Sequence, residues 1–285
     1  MKKLFITAFG LLAAFSATAQ KLDNSLLWKI SGNGLSKPSY LFGTMHIACD
    51  ATLDASVQTA LENTKQLYLE LDMDDPKISS EILGGMNMKN GVTLNSLATP
   101  EDYKVLDDFL TATLGAPSGS LKTVKPMVIS TLLIPKMIDC EPQSFEMELL
   151  KYTQIQKEEV YGLETVKEQL SLFDNVPYTE QMADLVKMAQ DNMTFAKAET
   201  QQLISLYKGK DINGILEFMK KEGNPLFANH MDAFINNRNK NWIPRIEKIA
   251  KEKPTLFAVG AGHLPGEGGV IMLLRKKGYT VEPVK

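Results

Sequence analysis

Thr255-Leu256-Phe257-Ala258-Val259-Gly260-Ala261-Gly262-His263-Leu264-Pro265-Gly266 is the stretch whose reading decides the fold. Five apolar-rich residues between Pro254 and Gly260 predict a short buried strand, Thr255 to Val259. The glycine-rich run that follows, Gly260 to Gly269, permits a sharp backbone turn and close approach to a ligand. Val270 to Lys277 then predicts a helix, with Gly278 as its C′ stop, and Tyr279 to Val284 a last strand. A strand, a turn carrying a histidine, a helix and a strand form one α/β unit.

The same local pattern recurs near the other end of the chain. Leu41-Phe42-Gly43-Thr44-Met45-His46 again places Gly-x-x-His directly after a short apolar strand, Ser39 to Phe42. Only three histidines occur in 285 residues, and two of them hold this position. In an α/β sheet, the carboxyl ends of strands line the ligand crevice. His46 and His263 are therefore expected at one site. His230 stands alone among helical residues and reads as structural or surface.

The intervening chain supplies further elements. Leu27 to Ser31 predicts the first strand. Asp54 is placed to cap a helix reaching about Lys65, and Gln66 to Asp72 alternates as a strand in which Glu70 faces away from Leu67, Leu69 and Leu71. Helices are expected over Thr99 to Leu114 (with Pro100 at its first position), Pro126 to Ile138, Ser144 to Gln156 and Thr165 to Phe173. A long amphipathic helix is expected from Thr179 to Tyr207, and two or three more over Asp211 to Lys251. Glu159 to Leu163 predicts another strand, with Glu164 at its end. The expected architecture is α/β (α+β): a mixed β-sheet formed by N- and C-terminal strands around a large helical middle, in a single domain over residues 20–285.

Composition narrows the function classes. Apolar residues make up 44% and charged residues 23%, and the net charge is −3. Lys and Arg are scattered, so nucleic acid and anionic membrane are not expected as partners. Lys2 and Lys3, the apolar run Leu4 to Phe15 and the small residues Ala17-Thr18-Ala19 read as a signal peptide cut after Ala19. That run falls short of the ~20 residues a stable membrane span needs. A periplasmic or secreted mature chain starting at Gln20, with no stable membrane span, is expected. In an oxidising compartment Cys49 and Cys140 can form a disulfide. Buried thiols are the other structural reading, and Cys49, three residues after His46, could instead ligate a metal.

Imidazoles and carboxylates at strand ends are the inventory of a divalent-metal site. His46, His263, Glu70 and Glu164 supply it. Glu70 inside an apolar strand needs a partner, because a buried lone charge is costly. Arg238 and Asn239 lie on a helix, and arginine can clamp a carboxylate or a developing oxyanion. There is no H-E-x-x-H, no G-x-S-x-G and no G-K-[ST], and position 265 breaks G-x-G-x-x-G with proline.

Taken together, Leu27-Trp28-Lys29-Ile30-Ser31, Tyr40 to His46, Leu69-Glu70-Leu71-Asp72, Gly162-Leu163-Glu164-Thr165, Arg238-Asn239 and Gly260 to Gly266 resemble the TraB/GumN (TraB/PrgY/GumN) family, related to the Tiki metalloproteases. Pro265 and Glu267 depart from the commonest family spelling and leave the motif intact. The resemblance implies a fold shared with erythromycin-esterase-like and ChaN-like proteins. It also implies an exported metal-dependent hydrolase acting on a peptide or other small substrate. His46, Glu70 and His263 would hold a divalent ion (Mn, Co or Zn). Glu164 would be a ligand or the general base, with Arg238 and Asn239 beside it. A non-catalytic protein sequestering a peptide or haem-like ligand, and a metal-free esterase using a histidine as base, are the alternatives. Oligomeric state is not read from the sequence.

Overall fold

The computed structural model describes residues 21–221 and 225–285. The leader expected over residues 1–19 lies outside them. Six strands form one mixed sheet: β1 (Leu27–Ser31), β2 (Ser39–Thr44), β3 (Leu67–Leu69), β4 (Val160–Gly162), β5 (Leu256–Gly260) and β6 (Thr280–Pro283). Their spatial order is β4-β3-β5-β2-β1-β6. The first four in that order are mutually parallel, whereas β1 runs antiparallel to both β2 and β6. Parallel neighbours need long crossovers, and the helices supply them.

The helices up to β4 are α1 (Ala55–Glu62), α2 (Ile78–Gly85), α3 (Pro100–Leu114), α4 (Pro126–Leu133) and α5 (Phe145–Gln156). After β4 come α6 (Val166–Leu172), α7 (Tyr178–Gln190), α8 (Thr194–Lys208), α9 (Ile212–Lys221), α10 (Pro225–Asn229), α11 (Asn237–Glu252) and α12 (Val270–Lys276). The expected mixed sheet with a helical middle is therefore present. Two large apolar cores carry most of the packing, with a smaller third cluster of Val176, Leu226, Phe234 and Ile235. One packs Trp28, Leu41, Leu67, Phe257 and Trp242 around the sheet. The other packs Leu94, Leu106, Leu110, Ile129, Leu133 and Leu185 among the middle helices.

Four expectations need correction. The single helix expected from Thr179 to Tyr207 is two helices, α7 and α8, broken where Asn192 and Met193 adopt φ of 51° and 60°. Left-handed residues cannot continue a right-handed helix, and the amphipathic pattern on both sides hides the break. The helix opening at Pro126 stops at Leu133 and tightens into a 3₁₀ turn over Ile134–Met137, where Pro135 lacks the N–H that the α-helical ladder needs. The strand expected over residues 66–72 ends at Leu69, so Glu70 stands just past the strand. Asp54 does precede α1, but its side chain makes no cap; it pairs with Lys210 Nζ at 2.6 Å.

The two cysteines are joined. The Cys49–Cys140 disulfide spans 91 residues with Cα atoms 5.5 Å apart, which removes Cys49 from the candidate metal ligands. Among the described residues, no helix is long and apolar enough to cross a membrane.

Candidate active site

The four parallel strands end on the same edge, and each carries one of the expected residues just beyond it. Across the edge, in sheet order, stand Glu164 after β4, Glu70 after β3, His263 after β5 and His46 after β2. Residues far apart in sequence meet here because parallel strands present all their carboxyl ends to one side. The two Gly-x-x-His loops are direct neighbours, since β2 pairs with β5 in register Gly43↔Val259 and Thr44↔Gly260.

The glycines make the cradle. A methyl group added at Gly260 would stand 3.3 Å from Glu70 Oε1, 3.6 Å from His263 Cδ2 and 3.9 Å from His46 Nε2. One at Gly43 would come within 2.7 Å of Leu264 Cδ1, so the first loop also needs glycine to lie against the second. The hydroxyl of the buried Tyr207 donates to Gly43 O at 2.9 Å and ties that loop down.

Glu70 and Glu164 are both buried. Arg238 joins them. Its Nη2 lies 2.5 Å from Glu70 Oε2 and 2.6 Å from Glu164 Oε1, and its Nη1 lies 3.0 Å from His263 Nε2. A π-helical turn over Asp232–Asn236 precedes α11, and the wider turn is followed directly by the helix that carries Arg238 and Asn239. Such turns are rare and concentrate at functional sites. Asn239, wholly buried, takes His263 Nδ1–H on its Oδ1 at 2.6 Å and donates to the carbonyls of His263 and Gly268. The Arg238 guanidinium also lies over the Trp242 ring at 4.7 Å, and that ring packs against His263 at 4.6 Å. Arg238 therefore clamps carboxylates of the chain itself.

The environment pushes the two carboxylates apart. Burial opposes ionisation of both. For Glu70 the positive charge of Arg238, followed by the neighbouring imidazoles and a hydrogen bond from Gly260 N–H, overcomes it and holds the carboxyl far below its ordinary range. For Glu164 burial prevails despite Arg238, with the charge of Glu70 adding to it, and the carboxyl is raised. The histidines diverge in the same way. Burial lowers His263 to about 3, against the pull of Glu70. Protein packed around His46 also opposes its charge, but the hydrogen bond and charge of Glu146 outweigh this and raise it to about 9. The His46 side chain is nevertheless 67% exposed, so it forms an accessible wall of the site.

Three contributors escaped the sequence reading. Glu146, in the first turn of α5, accepts from His46 Nδ1 at 2.8 Å. Gln169 on α6 donates to Glu70 at 3.3 Å and to Glu164 at 3.2 Å. Trp242 donates its indole N–H to Glu164 Oε2 at 3.1 Å. Trp242 lies on the same helix as Arg238, four residues on, and that spacing is a signal the sequence carries. The signal for Glu146 is weaker: an acidic first-turn residue after Ser144 reads as ordinary helix chemistry. His230, as expected, stands apart from the cluster and pairs with Glu180 at 3.2 Å.

A divalent ion suits this cradle in donor type. Each histidine has Nδ1 tied to a side-chain acceptor; His46 Nε2 and Glu70 Oε1 border Gly260, whereas His263 Nε2 meets Arg238 Nη1. The ligand set is not drawn together around one point: among the described residues, no three His, Cys, Asp or Glu side chains stand as a group able to hold an ion. Arg238 lies between Glu70, Glu164 and His263 instead.

Comparison with known proteins places the chain among a group of curated relatives. The chain is 23% identical to the metalloprotease TIKI2 of Danio rerio over 93% of its own length and 62% of that protein. It is 22% identical to the metalloprotease TIKI1 of Homo sapiens over 91% of its length and 62% of that protein. A metalloprotease TIKI homolog of Amphimedon queenslandica is 23% identical over 91% of this chain and 61% of that one. The chain thus spans about three-fifths of the length of these curated relatives. The model of the TraB/PrgY/gumN family matches residues 26–283, from the start of β1 to the end of β6, and the chain belongs to that family.

Proposed function

We propose that this protein is an exported, metal-dependent hydrolase whose substrates are peptides. The observation that carries the reading is the convergence of His46 Nε2, Glu70 Oε1 and His263 around Gly260 at the carboxyl edge of a parallel sheet. The metalloprotease names of its relatives support the reaction class. A disulfide between Cys49 and Cys140 is in keeping with an oxidising compartment, and so with export to the periplasm or the medium.

His46, Glu70 and His263 would hold the ion, with manganese, cobalt and zinc the candidates by donor type. Once bound, it supplies Lewis acidity and activates water for attack near neutral pH. The protein's own residues perform the remaining tasks. Glu164, raised by burial, takes and returns a proton. Glu70 stays ionised. Arg238, kept charged by its acidic neighbours, holds Glu70 and Glu164 in place with its guanidinium. Asn239 fixes the His263 ring through Nδ1, and Arg238 Nη1 would have to yield Nε2 to the ion.

The test is metal content by mass spectrometry on the purified protein beside His46→Ala and His263→Ala. About one divalent ion per chain, retained by the parent and lost in both variants, is expected. Failure to take up manganese, cobalt or zinc would defeat the reading. Peptide hydrolysis surviving exhaustive chelation would leave a metal-free mechanism centred on the same residues.

A further inference from the structure

Glu146 lies outside the strand-end set, on α5 in the crossover between β3 and β4. It is buried, with both oxygens engaged. Oε1 accepts from His46 Nδ1 at 2.8 Å and from Thr44 Oγ1 at 2.7 Å, and Oε2 accepts from Ser144 Oγ at 2.7 Å. Burying a carboxylate without a cationic residue beside it other than a histidine is costly, and a helix N-terminus offsets only part of that cost.

The backbone around this contact is stapled. Ala48 and Gln143 exchange N–H···O bonds of 2.8 Å in both directions, and Gln143 Oε1 accepts from Ala51 N at 3.0 Å. The Cys49–Cys140 disulfide joins the same two segments. Two covalently linked segments thus converge, one ending in the His46 loop and the other opening the helix of Glu146.

We infer that Glu146 is the positioning residue of His46: it accepts the Nδ1 proton, and so fixes the ring with Nε2 presented to the cradle. The inference rests on the proposed role of His46 as a metal ligand. It gives the two histidines equivalent supports of different chemistry, an amide oxygen of Asn239 for His263 and a carboxylate for His46. Outer partners of this kind orient a ligating imidazole and raise its basicity.

Mn²⁺ is titrated calorimetrically into the parent protein, E146A, E146Q and H46A, with thermal unfolding checked for each. E146A is expected to bind Mn²⁺ roughly 10–100-fold more weakly and E146Q to recover most of that loss, since the carboxamide oxygen still accepts the proton. Nitrogen NMR of the His46 ring, without metal and above the pH of about 9 at which the ring becomes neutral, gives a second readout. The Nδ1–H tautomer is expected in the parent and E146Q, and a shift towards Nε2–H in E146A. An Nε2–H tautomer in the parent overturns the inference without any variant, even if E146A does not fold. So does parental Mn²⁺ affinity in a folded E146A when H46A has lost binding. Parental affinity in H46A would sink the ligand role of His46 instead, and the tautomer measurement would then decide on Glu146 alone.

Discussion

The two Gly-x-x-His loops have the same spelling and the same place after parallel strands, yet their histidines are in opposite states. His263 is buried, backed by Trp242, held by a neutral amide and pushed down to about 3. His46 is largely exposed, held by a carboxylate and raised to about 9. The motif fixes where the backbone turns; the neighbours fix the charge. One site thereby pairs a buried imidazole that stays neutral with an accessible one that carries a proton at neutral pH.

This contrast can be broken most severely at its centre. Arg238→Leu leaves Glu70 and Glu164 buried without their cation, and a loss of about 3–5 kcal/mol in unfolding free energy is expected from urea titration. A loss near zero would mean that the carboxylates are not held as an ion-paired cluster. The next effect is confined to the first loop. Replacing Cys49 and Cys140 together by serine removes a cross-link over 91 residues, with an expected cost of about 2–5 kcal/mol. Hydrogen exchange should then accelerate around His46 and Ala48 and change little at Gly260 to Leu264. Equal acceleration in both loops would show that they are coupled as one unit.

The smallest effect is the most specific, because pH separates the loops. The His263 pKa falls from 6.5 to about 3 on folding, so the unfolded chain binds the proton first and stability declines as pH falls below 6.5 towards 3. The His46 pKa rises from 6.5 to about 9, so its contribution is complete below 6.5 and disappears as pH rises through 9. Stability curves of H263Q and H46Q, each subtracted from the parent, should place the acid limb on one loop and the alkaline limb on the other. If both differences fall on the same limb, the two histidines do not differ in charge as described.

Much of the frame was legible. Leu27 to Ser31 and Ser39 to Phe42 read as strands because their apolar residues are bounded by turn residues, and the final strand–turn–helix–strand unit was readable for the same reason. Local pattern failed where one backbone conformation overrides it. Asn192 and Met193 break an unbroken amphipathic stripe, and Pro135 tightens a helix whose apolar run continues past it. At the candidate site, Glu164 and both histidines were identifiable because they follow apolar strands, and Glu70 because it is a charge within an apolar strand pattern. Glu146 was not, because nothing in a helix's first turn reports which distant side chain it meets.

By itself, then, the sequence determined the strands, the two glycine turns and the residue types that end four of them, since these depend on neighbours along the chain. Only the tertiary structure decided the sheet order that ranks Glu164, Glu70, His263 and His46 along one edge. It also decided the insertion of Arg238 among them and the pairing of His46 with Glu146. Charge state and ring orientation follow from burial and from partners about 100 residues away in the chain, and contacts of that range are set by packing rather than by local periodicity.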